Sequence, residues 1–364
     1  MPAEAGAVRV SFAHRAAAAP RQPKAPPPPV DELRAARAAS WRAALEPASR
    51  RAYERALRNW SVFTIAYGFP FFPSADSLSL FVVFRMRDIA YNSVVSELAG
   101  LAYHFKTLDA SSWTSVRSSP EVVRALIGGV KQQPREVKVA PPLPLDKLVD
   151  AVEDLSLPHT PYDDLLWAAM MVVGFFSAAR AQELAAYDSP SDRNRRKVVN
   201  RDSVILNAAG FIAYLPYHKA DRLYSGSRLW FAAGDAGALL DVVKLYLLAR
   251  DRLFGPGGAL FLRENATIPT RRWLVDGIKA RCGAAFTGHL VRAGAATWYA
   301  SQGVDVETIK RIGRWSSERW SAYVRLHPSI AVEMRNHAVR GTRPFARTFS
   351  SAPFAALLRR APTL

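Results

Sequence analysis

The sequence predicts a mainly α-helical protein with a small β-sheet insert, divided into an all-helical N-terminal domain and a larger α+β domain. Three observations carry that expectation. Tyr53, Leu57, Trp60, Phe63 and Tyr67 recur every three or four residues, the period of one buried helix face. Between Ser203 and Ala232 the pattern changes to short β-rich runs separated by turn residues. Between these regions, residues 131–145 (KQQPREVKVAPPLPL) have no period and concentrate Lys, Arg and Pro, as a semi-rigid interdomain linker would.

Taken in order, residues 1–30 are rich in Ala, Pro and Arg and end in four prolines, the composition of a disordered basic arm. They lack the apolar core of a secretory signal. Residues 31–130 read as helices: the Tyr53–Tyr67 face, whose opposite side carries Arg50, Arg51, Arg55 and Arg58, then segments near 78–90, 94–105 and 120–130. After the linker, 146–330 form the second domain. It opens with helices to about Tyr187, including the apolar run Leu165–Ala179, which is too short to span a bilayer and reads as a buried helix. Strands are expected at 203–207, 211–217 and 228–232, and helices at 239–254, 270–282 and through the segment that ends near His327. The tail, 331–364, holds six arginines and a short apolar patch at Phe354–Leu358.

Composition narrows the chemistry. The 364 residues carry 49 Lys and Arg against 31 Asp and Glu, a formal charge of +18, which attracts a polyanion, nucleic acid first among them. Cys282 is the only cysteine, so no internal disulfide or cysteine metal cluster can form. The seven histidines show no HExxH or other paired-ligand spacing, and neither a metal nor a cofactor is expected.

Within this frame, Gly288–Tyr323 (GHLVRAGAATWYASQGVDVETIKRIGRWSSERWSAY) gathers His289, Arg292, Trp315 and Tyr323, and GFFSAARAQELAAY supplies Arg180 and Glu183. Two guanidinium forks can meet the charge that develops on a phosphodiester's non-bridging oxygens. A tyrosine hydroxyl can attack the phosphorus through a covalent intermediate. Each residue has a plainer reading. Arg180 and Glu183 could be a local ion pair, His289 a cap or packing group, and Trp315 simple core. His289 and Arg292 lie three apart at the start of a helix that Thr287 could cap, and Asp305 is placed to cap the next one, with Gly313 as its terminator.

The spaced elements His289-Leu-Val-Arg292, GRWSS at 313–317 and Tyr323, together with ARAQEL around Arg180, resemble the tyrosine recombinase (phage integrase) family across roughly residues 45–330. The wording IKRIGRWSS followed by YVR is similar to mobile-element recombinases of the Crypton and DIRS kind. The resemblance implies a core-binding domain followed by a catalytic domain. It makes Arg180 and Arg292 the phosphate clamp, Glu183 the orienting acid, His289 the donor or proton shuttle, Trp315 a phosphate donor and Tyr323 the nucleophile. Lys219, in LPYHKADR between two predicted strands, becomes the general acid for the 5′ oxygen, with His218 and Arg222 beside it as alternatives.

The resemblance further implies double-stranded DNA as partner and a 3′-phosphotyrosyl intermediate formed without metal or ATP. It implies a homo-tetramer on two DNA sites that is monomeric or dimeric off DNA, a tail that docks on a neighbouring protomer, and no membrane association. Nuclear residence follows for a eukaryotic host and cytoplasmic residence otherwise. Trp315 stands eight residues before Tyr323, where many family members have nine. Two other readings stand beside this one: a non-cutting, domesticated DNA binder using 304–325 as a helix-turn-helix, and a type IB topoisomerase acting on one duplex.

Overall fold

The computed structural model describes residues 27–132, 140–153, 155, 159–218, 221 and 225–315. The chain divides between Glu136 and Val137 into two compact units.

The described part of the first unit is all helical: α1 (Val30–Ala43), α2 (Pro47–Tyr67), α3 (Ala75–Met86), α4 (Tyr91–Leu108), α5 (Ala110–Ser118) and α6 (Pro120–Gln132). Pro47 starts α2 where its missing N–H is not needed, and Gly68, at φ 69°, ends it in the left-handed region. Trp60, Phe81, Phe105 and Trp113 are fully or almost fully buried, and Trp60 donates Nε1–H to the Phe71 carbonyl at 2.7 Å. Trp60 and Phe63 point inward as their period predicts, whereas Tyr67 at the end of the stripe is exposed. Arg50, Arg51, Arg55 and Arg58 are exposed.

The second unit is built on α8 (Tyr162–Phe176), whose residues 166–176 are all buried. Because α8 is apolar on every side it must be enclosed, and α7 (Leu145–Glu153), α11 (Leu239–Phe254) and α13 (Gly288–Ser301) pack against it. A three-stranded antiparallel sheet, β1 (Ile205–Asn207), β2 (Gly210–Leu215) and β3 (Ser227–Ala232), covers one end in the order β1-β2-β3. The inward residues of β2 and β3 alternate, so that Phe211 and Phe231 stack at 5.2 Å. Three short helices complete the described unit: α9 (Ala181–Leu184), α10 (Ala233–Ala236) and α12 (Arg271–Cys282), with α14 (Val306–Gly313) at its end.

Two close approaches lock this unit. Leu143 donates its N–H to the Leu290 carbonyl at 3.0 Å, and Gly294, one turn further along α13, has no Cβ because one would overlap the Leu143 carbonyl. Arg250, fully buried, donates to the carbonyls of Gly255, Gly257 and Ala259, which fixes the loop after α11. No helix among the described residues is long and apolar enough to cross a membrane. The helices expected at 239–254 and 270–282 and the three expected strands are present within a few residues.

Candidate active site

The local chain path at the first arginine differs from a simple helix end. Helix α8 stops at Phe176, Ala178 takes a φ of 45°, and Arg180 stands at the head of the short α9 rather than at the tail of α8. Ala178 is a non-glycine residue in the left-handed region. Its conformation turns its carbonyl toward α13, where Arg292 accepts the role of donor: one Arg292 terminal nitrogen bonds the Ala178 carbonyl and the other the Gly313 carbonyl. Arg292 is 0% exposed, and the Trp315 ring lies over its guanidinium, 4.1 Å from Cζ to ring centroid. A Cβ on Gly313 would run into that ring, so the glycine is what lets tryptophan fold back onto arginine.

Glu183 sits at the middle. Its side chain is only 4% exposed, and it receives the Arg180 N–H at 2.9 Å, Arg180 Nη1 at 2.7 Å and Arg314 Nη2 at 2.8 Å. Burial works to raise its pKa, yet the neighbouring guanidiniums of Arg314, Arg180 and Arg292, in that order, hold it down at about 2. The carboxylate is therefore charged throughout the neutral range.

Arg314 was not among the residues singled out from the sequence. It takes the left-handed position after α14, at φ 55°, which the sequence alone assigns to Gly313. The physical reason is its side chain, 6% exposed, which donates to the carbonyls of Ser177 and Ile312 at 3.1 and 2.8 Å as well as to Glu183. Those bonds offset the backbone strain. Burial lowers the pKa of Arg314, and Glu183 opposes that shift. A signal was available: Arg314, not Trp315, stands nine residues before Tyr323.

His289, in the first turn of α13, is exposed. Its pKa is lowered by desolvation, then by Arg292 and Arg180, so the neutral imidazole is favoured at pH 7. Thr287 makes no side-chain cap to α13, and its carbonyl alone starts the helix. Asp305 does cap α14, accepting from Thr308 N at 2.9 Å. His218 follows β2. Burial lowers its pKa, while Glu183, Arg314, Asp221 and Arg180 act on it electrostatically, which places its imidazole beside the same cluster.

The structure thus gathers Arg180, Glu183, Arg292, Trp315 and the unforeseen Arg314 in direct contact, with His289 and His218 within electrostatic reach. Lys219, Arg222, Tyr323, the second half of the helix-turn-helix reading and the tail 331–364 lie outside the described residues. The two predicted clamp arginines are presented differently. Arg180 has a side chain 29% exposed and, among the described residues, its guanidinium bonds Glu183 through Nη1 alone, which leaves Nε and Nη2 for an anion. Arg292 spends both terminal nitrogens on carbonyls beneath Trp315.

The charge state of Glu183 predicts an acid response. A carboxyl whose folded pKa lies near 2, against an ordinary value of 4.5, contributes stability that is complete above about pH 4.5 and is lost as pH falls toward 2. Urea midpoints of the wild type should fall through that window more steeply than those of Glu183→Gln, and parallel pH profiles would show that folding does not shift the Glu183 carboxyl.

No family model and no curated protein matches the chain. Among solved structures it is similar to the XerH site-specific recombinase bound to palindromic difH substrate in a post-cleavage complex, at 11% identity and a TM-score of 0.47, over 74% of this chain and 71% of that one. It is similar as well to a lambda integrase (residues 75–356) dimer bound to a COC′ core site, at 14% identity and a TM-score of 0.47, over 75% and 86%. The Tn1549 transposon integrase in complex with transposon right-end DNA is a third, at 12% identity and a TM-score of 0.46, over 74% and 86%.

Proposed function

We propose that the chain is a DNA strand transferase of the tyrosine recombinase type, cutting and rejoining duplex DNA through a 3′-phosphotyrosyl intermediate on Tyr323. The observation that supports it most is the convergence of Arg180 and Arg314, remote in sequence, on one buried carboxylate, with the Arg292 guanidinium and two imidazoles within electrostatic reach of the same place. An ordinary ion pair needs one arginine per carboxylate. Several guanidiniums around one glutamate make a preorganised anion site.

In the reaction the Tyr323 Oη–phosphorus bond forms as the bond from phosphorus to the 5′ oxygen breaks. The phenol proton leaves to a base, and the 5′ oxygen takes up a proton. His289, kept neutral, suits the base, and Lys219 suits the acid. Arg180 binds a non-bridging oxygen through its outward nitrogens. Arg292, the second clamp arginine, adds its charge to the same site from beneath the Trp315 ring. Glu183 holds Arg180 in register, and Arg314 ties the Gly313–Trp315 corner to the same carboxylate. The energy of the broken ester is retained in the phosphotyrosine, which religation returns, and neither a metal nor ATP enters any step.

Assembly as a tetramer on two DNA sites, docking of the tail on a neighbouring protomer, nuclear residence in a eukaryotic host or cytoplasmic residence otherwise, and a mobile-element origin belong to the same reading. So does the assignment of 31–130 as a core-binding domain, 131–145 as its linker and 146–330 as the catalytic domain. A nicked suicide duplex tests the chemistry. Wild type should trap a covalent adduct that Tyr323→Phe loses while still binding; binding by both without an adduct would identify a DNA-binding protein instead.

A further inference from the structure

Arg193, Arg195, Arg196 and Lys197 place four cations within five positions. Like charges repel, and a segment that served only solubility would let them spread. The fold instead holds them together. Asn194 Oδ1 accepts the Arg196 N–H at 2.9 Å and caps a tight 3-10 turn over Arg195–Lys197. Arg193 donates Nε to the Tyr187 carbonyl at 3.0 Å and Nη2 to the Asp188 carbonyl at 3.2 Å. The Lys197 ammonium stands 4.0 Å from the Tyr217 ring centroid and 5.9 Å from that of Tyr187.

The base of the loop is equally fixed. Leu260 donates to the Val199 carbonyl at 2.8 Å, and Arg201 forms a two-pronged ion pair with Asp251. A second basic segment is stitched alongside: Ala186 pairs with Thr270, Arg271 N donates to the Ala186 carbonyl at 2.9 Å, and Arg272 N donates to Asp188 Oδ1 at 2.7 Å. Arg193, Arg195, Arg196, Arg271 and Arg272 are all exposed. Three carboxylates share the neighbourhood, Asp188, engaged by Arg272 N, Asp192, and Asp276, which pairs with Arg272 Nε at 3.5 Å, and the cations outnumber them.

This surface is continuous with the arginine cluster at both ends. Ala186 lies three residues beyond Glu183, and Tyr217, under Lys197, directly precedes His218, on which Glu183, Arg314 and Arg180 act. Exposed guanidiniums on anchored segments beside an anion site are suited to the phosphates of a duplex backbone. We propose that the 193–197 loop and the start of α12 form a track that binds the DNA backbone flanking the scissile phosphate. The track sets how the duplex lies across the site. This rests on the strand-transfer reading for the identity of the polyanion.

The test measures binding of the full chain to an intact fluorescent duplex over a range of salt concentrations. Each phosphate contact contributes a slope of about 0.9 in log affinity against log salt. Arg195→Gln with Arg196→Gln should reduce the slope by about 2 and weaken binding by on the order of 30-fold at 0.15 M salt. Arg252→Gln with Lys279→Gln, exposed positions on α11 and α12 that remove the same charge, should leave the slope within one contact of wild type. An unchanged slope in the first pair overturns the track, and so does an equal fall in both pairs, which would mean that net charge alone matters. Melting curves matching wild type confirm that each pair folds. Because the readout is binding, it is independent of cleavage: a chain that binds through the track and yet forms no adduct on a suicide duplex would sink the strand-transfer chemistry and leave the track standing.

Discussion

Glu183→Ala is expected to destabilise the second unit by about 3–5 kcal/mol, the range for removing one partner of a buried ion pair. The substitution leaves the Arg314 side chain, 6% exposed, and Arg292, 0% exposed, as neighbouring buried cations. It also removes the acceptor for the Arg180 N–H at the head of α9. Two consequences should appear together in urea unfolding: a lower midpoint, and a loss of the acid sensitivity that ionised Glu183 confers. Glu183→Gln preserves shape and one acceptor but not charge, and should fall between wild type and alanine. A cost below about 1 kcal/mol for alanine would mean that the three guanidiniums do not depend on this carboxylate.

Arg180→Ala is expected to act on chemistry rather than on the fold. Its side chain is the exposed member of the cluster, and Glu183 keeps Arg314 when it is gone. Removing one preorganised donor from a developing oxyanion lowers rate by roughly 10²–10³-fold. Binding to duplex, spread over many phosphate contacts, should fall by less than about 10-fold. Single-turnover cleavage and a binding titration on the same preparation separate the two effects. Parallel loss of both would assign Arg180 to docking, and an unaltered cleavage rate would remove it from the site.

How far these residues were legible in the sequence depended on the kind of interaction. Periodicity located α8, α11 and the hairpin because burial of an apolar face leaves a repeat in the chain. It did not separate α4 from α5, where Asp109 ends one helix and caps the next with no change in composition. The arginine cluster was visible through spaced motifs, which named Arg180, Glu183, His289, Arg292 and Trp315. Arg314 escaped because its role comes from a backbone turn at positive φ, where glycine is the usual expectation. The eight-residue interval from Trp315 to Tyr323 was the trace of it: the neighbouring arginine holds the nine-residue position, and tryptophan is free to pack on Arg292. That packing was not legible either, since it depends on Gly313 having no side chain.

The most direct measurement of the central claim is the position of the DNA–protein bond. Trypsin, cutting after Arg319 and Arg325, releases Tyr323 in the peptide Trp320–Arg325. Mass spectrometry of the adduct formed on a suicide duplex should find the residual nucleotide on that peptide, joined through a 3′ phosphate. Attachment to any other peptide, or no adduct on a duplex that the chain demonstrably occupies, would contradict the account.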